Sequence, residues 1–403
     1  MAVSLLLYQG LHILLKGEIR MAKILFVSEY LCGPACGAKA LSLAHLQIIE
    51  ELYGYSNIKV LAVTNGSSTF EHSNSTTINS GAHSLSMLKN CLAGHARYVS
   101  TAVVSYIKEN ALIVDAIFFD NDSYGELARL AKKINPNIKI LCFAHGIKGV
   151  SSWDCLRQNP TRVFRLPHYL SVNKNERLMA EWADSFFVLN DRDASSFEKV
   201  TAHTTNLRLP VFFYDSADAA ELKNSRHRKA GDCVRILFVG GTHWPNIEGA
   251  EWFADNVMPS LGNVAHFYIV GLGMEIMRDR LACHENVTVV GGVDDLSIWY
   301  QNSDVVVGPI FSGEGMKTKT AEAFMYGKLF LGSDEAFCGY RYPSDWLCNT
   351  AQDYIDWITK LSLSDSDAYC ETSRELYEKY YSDSSVKKTI TEAMDSLGLN
   401  KSE

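Results

Sequence analysis

The sequence predicts an α/β protein made of two doubly wound domains in succession. Three observations carry this. From residue 23 onward, short apolar runs alternate with glycine-bearing turns and helical periodicity. The same alternation restarts near 234 after a polar stretch. No apolar run reaches the ~18 residues that mark a membrane-spanning helix, so the apolar content belongs to folded cores.

The elements follow in order. KILFVSEYL (23–31) reads as a strand, CGPACGAKA as its turn and AKALSLAHLQIIEELYGY as a helix; IKVLAVTN is the next strand. DAIFFDN (115–121), IKILCFAHG (138–146) and DSFFVLND (184–191) are further strands, separated by the helical segments SYGELARLAKKI and ERLMAEWA. This sets a first domain at 21–205. The stretch 206–233, which includes the polar SADAAELKNSRHRKAGDC, reads as linker. A second domain at 234–350 repeats the pattern: VRILFVGG, AHFYIVGLG, NVTVVGGV, DVVVGPI and KLFLGS are strands, and PNIEGAEWFADNVMPSL, DDLSIWYQN and KTAEAFMYG are helices. Residues 351–403 are helical and amphipathic, which allows them to pack back on the first domain. Two such halves imply a cleft, with ligands bound at loops outside the carboxyl ends of the strands.

Composition narrows the function classes. The chain is 403 residues long, 47% hydrophobic and 21% charged, which excludes a mainly disordered protein. The net charge of −8 comes from residues 201–403, whereas 21–200 are mildly basic. The basic residues are interleaved with acids, which excludes a nucleic-acid stripe. Ten cysteines without a CxxC pair fit a reducing, cytoplasmic setting and neither a zinc site nor a disulfide framework. The apolar N-terminal stretch 1–20 is compatible with sequence upstream of a functional start at Met21, with a membrane-surface helix or with a signal peptide. The last reading lacks a basic region and a cleavage site.

Four loops are placed to carry chemistry. CGPACGA offers Gly33 and Gly37 for close backbone approach, though its spacing is not that of a dinucleotide fingerprint. His145 follows an apolar strand and precedes a glycine. FVGGTHWPN presents Gly241 and Thr242 before a helix start, with no Lys or Arg among them. DVVVGPIFSGEGMKTKTAEAFMYGK runs from strand through loop to helix. There Gly313 and Gly315 flank Glu314. The backbone of Gly315, Met316 and Lys317 suits a diphosphate at a helix N-terminus, and Lys317 or Lys319 can add charge. Glu322 lies too deep on that helix for the phosphates and suits neutral hydroxyls instead. The trio 120–122 (DND) reads as cleft lining or surface, and the polar stretch 64–84 as a variable loop.

These loops, in this order, resemble the retaining GT-B glycosyltransferases of the GT4 type, most closely over 236–340. The resemblance implies two Rossmann-like domains facing a central cleft, an acceptor-binding first domain and a nucleotide-sugar-binding second one. The spacing of Glu314 and Glu322 is that family's E-x7-E. By resemblance Glu314 and His145 serve the donor sugar, Glu322 the ribose, and Gly292 and Val293 the base through their backbone, while Gly33 and Gly37 cover the diphosphate. The family's usual Arg and Lys clamp is missing. The resemblance also implies a nucleotide-diphosphate sugar as co-substrate and a carbohydrate or lipid-linked acceptor. No metal or other cofactor is required, and peripheral contact with the inner membrane face through the first domain is compatible with its mild basicity. A nucleotide-sugar epimerase of the same architecture and a non-catalytic nucleotide-sugar-binding subunit are the alternatives.

Overall fold

The structure is a computed structural model. It describes residues 20–33, 37–81, 84–148, 165–216, 222, 226–313 and 315–400. The chain forms two compact units, one of residues 1–144, 152–186 and 390–403, the other of 145–151 and 187–389.

The first sheet contains β1 (Ile24–Ser28), β2 (Ile58–Thr64), β3 (Ser75–Asn79), β4 (Ala116–Phe119), β5 (Lys139–Ala144), β6 (Ser185–Val188) and β7 (Leu207–Arg208). Its order is β3-β2-β1-β4-β5-β6-β7. β1 pairs in parallel with both β2 and β4, and every residue of β1 and β4 is buried. Strands covered on both faces must be apolar throughout, which is why they stand out in the sequence. Helix Gly37–Tyr53 buries Leu41, Leu46, Ile48, Ile49 and Leu52. The chain end returns to this unit: the Ala22 N–H donates to the Asn400 carbonyl at 3.0 Å, and the Tyr53 hydroxyl to that of Leu399 at 3.3 Å.

Two readings need correction here. The stretch 64–84 is not all loop, because β3 lies within it and pairs in parallel with β2 from Val60↔Ser75 to Thr64↔Asn79. It is an edge strand of sequence STTIN, so it needs no apolar run. The trio 120–122 is not on the surface, since all three residues are buried. Asp120 accepts from the Ser28 hydroxyl at 2.9 Å and from the Ser42 hydroxyl, and lies 3.3 Å from Nδ1 of the buried His45. A buried carboxylate needs such partners, and they come from β1 and the helix that follows it.

The second sheet contains β9 (Val234–Val239), β10 (Ala265–Val270), β11 (Val287–Gly291), β12 (Val305–Gly308) and β13 (Phe330–Gly332), all parallel, in the order β11-β10-β9-β12-β13. The polar stretch before it also carries structure. β8 (His227–Arg228) pairs antiparallel with β14 (Ser366–Asp367). Arg228 is buried there and donates to the carbonyls of Leu361 and Ser364, near the end of helix Ala351–Ser362. Carbonyls left open at a helix end are a suitable sink for a buried guanidinium.

Helix Trp244–Asn256 packs its backbone directly on the loop after β12. A Cβ at Gly249 would lie 2.0 Å from the Pro309 carbonyl oxygen. Helix propensity alone would favour alanine there by about 1 kcal/mol, but a methyl group pressed into backbone costs more. Gly249→Ala is therefore expected to destabilise the protein by about 3 kcal/mol in urea unfolding; an unchanged or raised stability would show that the helix is free to move away.

Candidate active site

β9 is the strand at which the second sheet reverses direction. The chain goes from β9 outward to β10 and β11, then returns to the other side of β9 as β12. The loops after β9 and β12 therefore leave in opposite directions and border a crevice, the usual ligand position in such sheets. The candidate loops of the second unit occupy this place. The Gly240–His243 turn and the Pro309–Lys317 loop approach one another: Ser312 Oγ is 3.4 Å from Glu248 Oε2, and the space beside Gly313 is bounded by Pro245 at 3.6 Å.

Helix Thr318–Met325 starts at this crevice. It is fixed from behind, because the Thr320 hydroxyl donates to the Ala336 carbonyl at 2.9 Å and the Tyr340 hydroxyl to that of Lys317 at 2.7 Å. Gly315 adopts φ +65°, and a Cβ there would come within 3.3 Å of the Leu189 side chain and 3.5 Å of the His145 carbonyl oxygen. This brings the backbone of His145 and the Gly315 turn together within one unit. Glu314 lies outside the described residues.

The two lysines of the stretch have different surroundings. Lys317 Nζ sits 2.6 Å from Glu335, which also binds Arg192 at 2.8 Å. Lys319 turns inward. Its Nζ donates to Asn246 Oδ1 at 2.7 Å and lies 3.9 Å from the centre of the Phe238 ring. Burial, with the charge of Lys317 nearby, lowers its pKa to about 7, against a smaller opposing effect of Glu322. Asn246 also donates to the Gly241 carbonyl at 2.9 Å, so one amide joins the lysine to the glycine turn.

Glu322 lies half-buried one turn further along. Its Oε2 accepts from the Tyr300 hydroxyl at 2.9 Å, and the Tyr300 ring stacks on Tyr326 at 4.5 Å. Burial raises the carboxyl above its ordinary range, opposed by the Tyr300 hydrogen bond and by Lys319. Gly292 and Val293 follow β11 by a separate turn. The Gly292 N–H donates to Glu275 Oε1 at 2.7 Å, which holds that carboxyl below its usual range. The base-reading backbone expected at Gly292 thus already has an internal partner.

Gly33 and Gly37 belong to the first unit. Gly37 opens the helix after β1, and Gly33 lines a cavity of about 540 Å³ at the carboxyl ends of β1 and β2 with Glu29, Tyr30, Thr64, Asn65 and Tyr98. Sequence reasoning missed Asn246, Tyr300, Glu335, Arg192 and Glu275. Only Asn246 had a local signal, the Pro–Asn pair just after the glycine turn.

A parallel-sheet domain with a switch-point crevice, a helix start beside it and an inward lysine is a Rossmann-like α/β unit. Comparison sharpens the class. Residues 233–361 match the family described as Glycosyl transferases group 1. No curated protein matches the chain. Among solved structures, Anabaena Alr3699/HepE in complex with UDP and glucose is similar at 13% identity, covering 93% of this chain and 100% of that one with a TM-score of 0.62. WaaG, a glycosyltransferase involved in lipopolysaccharide biosynthesis, is similar at 15% identity, with 92% and 99% coverage and a TM-score of 0.62. The α,α-trehalose 6-phosphate synthase of Burkholderia multivorans gives 12%, 94% and 97%, with a TM-score of 0.60. The fold is GT-B, and residues 233–361 form a domain of the group 1 glycosyl transferase type.

The Tyr300–Glu322 contact gives a prediction with a definite sign. A carboxyl whose folded pKa is raised contributes stability below its unfolded pKa, and that contribution is lost as pH rises through the folded value. Removing the hydroxyl raises the carboxyl further. Tyr300→Phe is expected to cost little near pH 4 and about 1–3 kcal/mol near pH 7.5 in urea unfolding. Equal deficits at both pH values would show that the hydroxyl does not serve the ionised carboxylate.

Proposed function

We propose that the protein moves a sugar from a nucleoside-diphosphate sugar to a carbohydrate or lipid-linked acceptor, with retention, in cell-surface polysaccharide biosynthesis. The observation that carries this reading is the order of groups along one helix at the switch point: the glycine turn, then an inward lysine, then a half-buried carboxylate held by Tyr300. Anion binding followed by hydroxyl recognition matches diphosphate followed by ribose. HepE, of similar fold, holds UDP-glucose, and WaaG acts in lipopolysaccharide biosynthesis. Both lend the reading support.

In this scheme the backbone of Gly313, Gly315, Met316 and Lys317 takes the diphosphate, together with Gly241 and Thr242. Glu322 accepts hydrogen bonds from the ribose hydroxyls. Gly292 and Val293 line the base, while Glu314 and His145 contact the sugar. Breaking the anomeric bond leaves negative charge on the diphosphate, and donors already in place stabilise it without reorganisation. The leaving phosphate takes the acceptor's proton on the same face, so no side-chain base and no metal is needed. The first unit takes the acceptor and visits the membrane face. Among the described residues no helix is long and apolar enough to cross a membrane.

Incubation with a panel of nucleotide sugars, followed by nucleoside diphosphate release, tests the reaction. Epimerisation of the sugar without an acceptor would replace the transferase reading, and tight binding without turnover on any acceptor would favour a binding subunit. Two variants test the site. Glu322→Ala is expected to weaken UDP binding about 10- to 100-fold, the loss of charge-assisted hydrogen bonds. Glu314→Ala is expected to lower turnover mainly. Full activity in both would place the donor elsewhere.

A further inference from the structure

The missing basic clamp leaves a question of charge, and the stretch after Gly315 carries two lysines, Lys317 and Lys319. Lys317 is already committed: Glu335 neutralises it, in company with Arg192. Lys319 is different. Among the described residues its hydrogen-bond partner is the neutral Asn246 Oδ1, and the Phe238 ring lies beneath it. Phe238 is in β9 and Asn246 in the helix after the glycine turn. Lys319 therefore reaches from a neighbouring element to the carboxyl end of β9, the very place where GGTHWPN lacks a basic residue.

We propose that Lys319, aimed by Asn246 at the Gly240–Gly241 turn, is the counter-charge of the donor's diphosphate, and that its amine takes up a proton from solvent as the diphosphate binds. The inference rests on the donor reading above. Asn246 is a positioning residue, since its Oδ1 holds the amine while its Nδ2 holds the Gly241 carbonyl. Among the described residues the charged groups that face Lys319 are Lys317, just before its helix, and Glu322, one turn along it; Phe238 and Asn246, from the elements packed against it, carry none. Glu322 is itself shared with Tyr300, and Lys317 with Glu335. A buried amine without a carboxylate partner is costly to charge. Its pKa of about 7 in the ligand-free protein accords with that geometry. An incoming diphosphate supplies the missing negative charge and shifts the balance to the ammonium form.

The arrangement has a thermodynamic consequence. Where the free amine is largely neutral and the bound one is charged, binding takes up about one proton, and UDP affinity falls with rising pH toward about tenfold per unit.

Calorimetry of UDP binding to the full-length protein near pH 8.5, in two buffers of different ionisation enthalpy, reads the proton directly. Uptake of about half to one proton per UDP, lost in Lys319→Met together with about tenfold or more of the affinity, is the expected result. Lys319→Arg, charged at every working pH, is expected to bind UDP without proton uptake and covers the case in which the methionine variant does not fold. Asn246→Ala is expected to weaken UDP binding and to shift the pH at which uptake is half complete. UDP binding by the unmodified protein without proton uptake overturns the proposal, as does uptake that survives in Lys319→Met, or in Lys319→Arg. If the unmodified protein does not bind UDP at all, the donor reading fails first, which separates the two.

Discussion

The pairing of β9 with β10 on one side and β12 on the other is the constraint on which the second unit depends. A parallel sheet puts the carboxyl ends of all its strands on one edge, and the reversal at β9 opens that edge between two diverging loops. Everything else in the site is support for those loops. Helix Trp244–Asn256 meets the β12 loop with bare backbone at Gly249, and Thr320 and Tyr340 fix the helix from which Lys319 and Glu322 project.

How much of this was legible depends on burial. β1, β9 and β12 are covered on both faces, so they appear as apolar runs with a glycine or polar turn after them. β3 lies at an edge, needs only half a face and was hidden in a polar stretch. The loops could be read because each follows a buried apolar strand and carries glycine. What a lysine touches could not. Lys317 stands on extended backbone just before the helix and Lys319 in its first turn, so one meets Glu335 and the other β9. Asp120 was misread for a related reason: its partners Ser28, Ser42 and His45 are distant in sequence and adjacent only in the fold.

The half-buried Glu322 and the buried Lys319 share a helix and partly compensate one another, yet neither forms a close ion pair with the other among the described residues. Each is held instead by a neutral group, Tyr300 or Asn246. A direct pair would lock both side chains and cancel the charge each has to offer. Neutral holders keep the two groups oriented while leaving their electrostatics available to a ligand, at some expense in stability.

The return of residues 390–400 to the first unit bears on how this architecture can be divided. The chain passes between its two units more than once, and its last strand-side contacts, Asn400 to Ala22 and Leu399 to Tyr53, close on the beginning of β1 and the helix after it. The first unit is therefore discontinuous in sequence, and a fragment ending after the second sheet would carry β1 without the segment that covers its start. Recombination between relatives that exchanges only one contiguous half would separate those partners. Exchange of the second unit as an internal insert, with 390–400 kept beside their own β1, preserves them.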